Sequence, residues 1–186
     1  MSRAGAVTFK GNPMTLAGTA IAVGQKAPDC KLHAFESGAL VAVTPADWRG
    51  KTTFISVVPS LDTPVCQKQT KKFNDQLSAL AGKVNAVTVS LDLPFAMNRF
   101  CGAEEIKNMR ALSDYQDRSF GQNWGMLIEE LKILARGTFV LDKDGKVVHA
   151  ELVKEVAEEP NYDAALSAIK STLKRFGAVS PGRALA

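Results

Sequence analysis

The sequence predicts one α/β domain, a central sheet flanked by helices, and three observations carry that prediction. Residues 52–58 form a nearly continuous β-branched and apolar run, as a strand buried on both faces does. A helical pattern follows over 64–80, with Val65, Phe73, Leu77 and Leu80 available to one side. A second buried strand pattern occupies 84–91. Strand, helix and strand in this order build a sheet with helices packed on it.

The other elements extend this frame. Residues 7–10 and 14–16 flank Gly11-Asn12-Pro13 and predict an N-terminal β-hairpin. The Gly and Pro content of 24–29 marks a loop, and 31–35 and 40–44 are strand candidates. Residues 94–100 predict a short helix. Residues 136–141 and 146–152 alternate around Asp142-Lys143-Asp144-Gly145, a hairpin turn signal. An amphipathic helix over 162–176 closes the chain, which leaves 177–186 as a flexible tail. All 186 residues suit a single domain. The arrangement suggests a thioredoxin-like central mixed sheet flanked by helices. Such a fold does not give a function, which must come from a site.

Composition narrows the classes of function. Hydrophobic residues make up 46% and charged residues 23%, ordinary for a globular domain, and no apolar run reaches the length of a membrane span. The first residues lack the apolar core of a signal peptide, so a cytoplasmic location is expected. The net charge of +4 is spread among acids. Its one local cluster, Lys68, Lys71 and Lys72, reads as a solvated helix face, so no nucleic-acid role is expected. Three cysteines, Cys30, Cys66 and Cys101, are too few and odd in number for a disulfide scaffold. No CxxC occurs, and His33 and His149 do not fall at zinc-ligand spacing, so no metal is expected.

Cys66 is the chemical centre. In Pro59-Ser60-Leu61-Asp62-Thr63-Pro64-Val65-Cys66, Thr63 is a good helix N-cap, with Asp62 as the rival, and Pro64 suits the first helical position. Cys66 then falls in the first turn, where free backbone N–H groups and the helix dipole favour a thiolate. A free cysteine is only about 3% thiolate at neutral pH, so full ionisation gains roughly thirtyfold, about 2 kcal/mol. Fast catalysis at sulfur needs more, which must come from groups that stabilise charge as a bond breaks. A hydroxyl and a cation near Cys66 are therefore required. Thr63, one turn earlier, supplies the hydroxyl. Arg136, at the start of a strongly patterned strand, is a candidate cation, and periodicity alone does not select it over Arg99, Arg110 or Arg118. A buried structural thiol and a hydrolase nucleophile are the competing readings of Cys66. The hydrolase reading lacks a histidine in a recognisable position.

These residues carry a resemblance. Pro59-x-x-x-Thr63-x-x-Cys66 resembles the peroxiredoxin active-site motif, and the stretch 59–66 is similar to that of the atypical two-cysteine thiol peroxidases. Asp92-Leu93-Pro94-Phe95-Ala96 with Arg99-Phe100-Cys101-Gly102-Ala103-Glu104 resembles their resolving-cysteine segment. Leu134-Ala135-Arg136-Gly137-Thr138 resembles their arginine strand, and the match runs from about Val7 to Leu173. The resemblance implies a peroxiredoxin-type fold and a peroxidase of hydrogen peroxide and organic hydroperoxides. Cys66 would be the peroxidatic cysteine, Thr63 and Arg136 would hold the peroxide, and Pro59 would shield the thiolate. Cys101 would resolve the sulfenic acid as an intrachain disulfide, which thioredoxin would reduce. A homodimer without metal, haem or flavin is implied. Cys30 matches no catalytic position and is expected to be a bystander.

The chain departs from the family pattern at Trp124, where tyrosine is expected, at Gly137, where a bulkier residue is common, and in a longer tail after Phe176. Cys66 and Cys101 lie on different predicted helices, while a disulfide needs Cα atoms within about 7 Å. Turnover therefore requires local unfolding of both helix starts. Two other classes share these features: a thioredoxin-like holdase without turnover, and a redox sensor that passes its disulfide to a partner.

Overall fold

The computed structural model describes residues 1–177. The expected tail falls outside them, except for Gly177, the last residue of the final helix. The chain begins with a two-stranded hairpin, β1 (Ser2–Phe9) and β2 (Asn12–Ala17). Its turn is Lys10-Gly11, both at positive φ, rather than the expected Gly11-Asn12-Pro13. Two consecutive left-handed residues match the twist of the flanking strands, and Gly11 adopts that conformation freely. Pro13 instead lies inside β2, opposite Thr8.

The remaining strands are β3 (Leu32–Glu36), β4 (Ala39–Val43), β5 (Thr52–Val57), β6 (Val84–Ser90), β7 (Arg110–Ser113), β8 (Gly137–Leu141) and β9 (Val147–Leu152). They form a seven-stranded mixed sheet in the order β4-β3-β7-β6-β5-β8-β9. The centre, β5, β6 and β7, is parallel, and the flanks are antiparallel. The helices are α1 (Pro64–Gln76), α2 (Pro94–Ala103), α3 (Ser119–Asn123) and α4 (Tyr162–Gly177). The patterned elements stand within a few residues of their expected bounds. Neither β7 nor α3 was legible in the sequence. Arg110-Ala111-Leu112-Ser113 has no alternation of its own and becomes a strand because β6 and β3 supply partners.

Strand pleating divides the core into two clusters. Phe54, Ala86 and Val140 face Phe73 of α1 and Leu77 at its C-cap, Met97 and Phe100 of α2, and Ala165 and Ile169 of α4. Ile55, Val57, Val87, Val89 and Phe139 face the hairpin residues Val7 and Leu16, α3, and residues 124–135. The three longer helices thus share one face, and the hairpin with the short α3 covers the other. Because β5 is buried on both faces, its sequence reads as a continuous run.

The hairpin is fastened to the body by Glu155. Its carboxylate accepts the N–H groups of Ala157, Gly11 and Lys10 and the Thr8 hydroxyl, which hold its pKa down to about 2. A depressed carboxylate stabilises the fold above its unfolded pKa near 4.3, and that contribution is lost as pH falls through about 2.

Two departures from the family pattern now have a structural account. Trp124 is fully buried on the hairpin side of the sheet, stacked on Phe120 with ring centroids 4.8 Å apart, and its indole N–H donates to Pro28 O at 3.2 Å. It packs the face opposite Cys66. Gly137 is glycine because a Cβ there would lie 2.4 Å from Glu151 O on the adjacent strand and 3.0 Å from Met126 Cε. Gly137→Ala should therefore cost about 1–3 kcal/mol, the usual penalty of overpacking, read as a lower urea midpoint.

Candidate active site

The register of the sheet explains how distant residues meet. Val57 pairs with Gly137, so the C-terminal end of β5 and the N-terminal end of β8 lie side by side. The chain leaves β5 through buried Pro59 and turns into α1, which places Cys66 above Arg136. Arg136, Thr138 and Val140 alternate with Phe139 and Leu141, so the arginine points to the helix side of the sheet.

Thr63 is the N-cap by backbone conformation, with Pro64 following, yet its side chain makes no capping bond. The hydroxyl instead stands 2.8 Å from Cys66 Sγ and 3.0 Å from Ser60 O. A hydroxyl has one proton to give. With Cys66 as a thiol, S–H donates to Thr63 and Thr63 donates to Ser60. With a thiolate, the Thr63 proton turns to sulfur.

The cation is Arg136, which is 2% exposed. Its Nη2 lies 3.4 Å from Cys66 Sγ, its Nη1 donates to Gln69 Oε1 at 2.7 Å, and its Nε donates to Val156 O at 2.9 Å. Two of its five N–H groups have no protein acceptor among the described residues. No carboxylate lies within ion-pair distance of it among those residues. A buried guanidinium stays charged and is costly without an anion. Cys66 Sγ is the group this site sets against it. Arg99, Arg110 and Arg118 do not reach Cys66, and Arg110 is engaged with Glu36.

Gln69 was missed in the sequence. It is fully buried on α1 and fixes the guanidinium by accepting from Arg136 while donating to Ser56 Oγ at 2.8 Å. The available signal was its position: it stands three residues after Cys66 and four before Phe73, a polar residue in the buried stripe.

Cys101 is not part of this cluster. It is half-buried near the end of α2 and lines a groove of about 460 Å³ with Asn98, Trp48 and Asn85. Burial pushes its thiol up to about 11. All three cysteines are free. Cys30 is buried on the other side of the sheet, and burial, followed by the nearby Asp114, raises its thiol to about 12.

A model of the Redoxin family matches residues 22–166, and the chain belongs to that family. Its relatives narrow the class. It is 48% identical over 168 residues to a thiol peroxidase of Bacillus subtilis, covering 90% of this chain and 98% of that protein. A thiol peroxidase of Staphylococcus haemolyticus is 47% identical over 165 residues, covering 89% and 98%. Among solved structures, a peroxiredoxin-like protein from Aquifex aeolicus superposes with a TM-score of 0.79 at 40% identity, covering 89% of this chain and 96% of that one. The chain is a member of the thiol peroxidase family.

Gln69→Glu keeps the shape of the site but gives Arg136 a carboxylate in place of the thiolate. The rate of Cys66 oxidation, followed by stopped flow, should fall at least about tenfold, the scale of a lost charge-assisted bond. An unchanged rate would remove the Arg136 charge from the account of reactivity.

Proposed function

We propose that the protein is a thioredoxin-dependent peroxidase that reduces hydrogen peroxide and organic hydroperoxides with Cys66. The observation that carries this reading is the buried Arg136, which faces Cys66 Sγ without a carboxylate of its own. The Cys66 thiolate attacks the terminal oxygen of the hydroperoxide. An S–O bond forms, the O–O bond breaks, and the leaving alkoxide or hydroxide takes up a proton. Cys66 is then a sulfenic acid. The Thr63 hydroxyl and the two free N–H groups of Arg136 hold the peroxide and stabilise negative charge on the departing oxygen. Pro59, buried where β5 ends, keeps water from the sulfur.

Cys101 resolves the sulfenic acid. Its thiolate attacks Cys66 sulfur, the S–O bond breaks, and water leaves after protonation. Thioredoxin reduces the intrachain disulfide by thiol–disulfide exchange and is itself oxidised. Resolution requires opening. Cys66 sulfur is buried among Thr63 and Arg136, while Cys101 sits in its own groove. Cys66, and Leu61 just before α1, belong to the apolar cluster that also holds Phe73 and Leu77. Opening the first turn of α1 therefore gives up that burial, a cost set against formation of the disulfide bond.

The chain acts as one domain. Leu93, Phe95 and Leu40, exposed around Phe35, offer an apolar patch for a homodimer. Reduction by thioredoxin places the protein in the cytoplasm, a reducing compartment. Among the described residues no helix is long and apolar enough to cross a membrane.

Oxidation of reduced thioredoxin by peroxide should depend on Cys66 and vanish in Cys66→Ser. A holdase would oxidise none, and a sensor would leave a stable mixed disulfide. Cys101→Ser should consume one equivalent of peroxide and stop as a sulfenic or overoxidised form; normal turnover would end the resolving assignment. Disulfide formation should accelerate with pH, since the folded Cys101 thiol is protonated up to about 11. Attack from an opened segment gives an inflection near the ordinary cysteine value of about 8.5. An inflection near 11 would mean attack in place.

A further inference from the structure

We propose that Asp92 is a positioning residue that couples the Cys66 segment to the Cys101 segment, so that the two open together. The inference rests on the peroxidase reading for its consequence, though not for its geometry. Asp92 stands two residues after the end of β6 and two residues before Pro94, the first residue of α2. Val58 N donates to Val89 O at 3.0 Å, which keeps the exits of β5 and β6 adjacent.

The Asp92 carboxylate spans the gap between those exits. One oxygen accepts from Ser60 Oγ at 2.7 Å, and the other accepts from Leu61 N–H and from Ser90 Oγ, each at 2.7 Å. From Ser60 the path continues to the reacting atom. Ser60 O is 3.0 Å from Thr63 Oγ1, which is 2.8 Å from Cys66 Sγ. On the other side, Asp92 O accepts from Ser113 Oγ, and the first backbone bond of α2 runs from Met97 N to Leu93 O at 3.0 Å. One half-buried carboxylate thus holds the turn that places Thr63 on the sulfur and also the root of the helix that carries Cys101.

When the Cys66 turn leaves, the carboxylate loses two of its three donors, Ser60 Oγ and Leu61 N–H; when the root of α2 leaves, Asp92 moves with it and the same two donors lose their acceptor. The two openings are therefore linked in equilibrium. The peroxide-reactive arrangement stays closed until both cysteines are released, and only that doubly opened form can close the disulfide.

Hydrogen exchange on the reduced full chain tests the coupling without peroxide, and so independently of any peroxidase activity. Asp92→Asn keeps the size but replaces one acceptor oxygen with a donor. Exchange should rise about tenfold, the scale of one lost charge-assisted bond, in both 60–66 and 93–101. After peroxide treatment, intact mass should show the ratio of disulfide to sulfinic form shifted toward disulfide by a similar factor. Ser60→Ala removes the hydroxyl that donates to Asp92 and accepts from Asp62 N–H, and should also raise exchange at 93–101, a segment it does not touch; it carries the test if Asp92→Asn does not fold. A rise confined to one segment, or a ratio that moves less than twofold, overturns the proposal.

Discussion

The site depends on one constraint: a guanidinium buried, among the described residues, without a carboxylate. Arg136 gives three of its donors to Val156 O, Gln69 Oε1 and Cys66 Sγ, and none of these groups is an ion while the sulfur is a thiol. A buried cation acts on neighbouring negative charge more strongly than an exposed one, because water does not screen it. Two of its donors have no acceptor among the described residues, and in the proposed reaction these face the departing oxygen. The side chain is held in place by Gln69, Ser56 and the end of β5.

The sheet is what makes this arrangement rigid. Its parallel centre brings the exits of β5 and β6 to one end, and the antiparallel β8 delivers Arg136 to that same end. The turn before α1, the start of α2 and the carboxylate between them lie at this end as well, whereas Cys101, near the far end of α2, sits in a groove with Trp48 and Asn85 by the entries of β5 and β6. The opposite face, with Trp124, Phe120 and the docked hairpin, is packed by apolar and aromatic contacts. The reactive geometry and the proposed motion thus lie on the helix-bearing face of a sheet whose other face does not need to move.

The sequence made the long, patterned elements legible, since β5 and α1 announce themselves by continuous burial and by helical periodicity. Thr63 and Cys66 were legible too, because a cap, a proline and a cysteine at fixed spacing have a local meaning. Arg136 was not singled out by its own pattern; its meeting with Cys66 depends on the pairing of Val57 with Gly137, a long-range register. Gln69 was hidden for a similar reason, since a glutamine on a helix reads as solvated until the partner beneath it is known. The short β7 exists only through its neighbours. Gly137 looked like a departure from a family pattern and is a requirement of the strand beside it.

The unused cap of α1 has a wider meaning. An N-cap hydroxyl ordinarily stabilises its helix by about 1 kcal/mol, and Thr63 has the right position and conformation to do so. Its hydroxyl stands between Ser60 O and Cys66 Sγ instead. The helix therefore begins weaker than its sequence allows, at the residue where chemistry occurs. This is a trade of stability for activity, and here both sides of the trade serve the protein: the withheld bond equips the sulfur for reaction and leaves the first turn easier to unwind afterward.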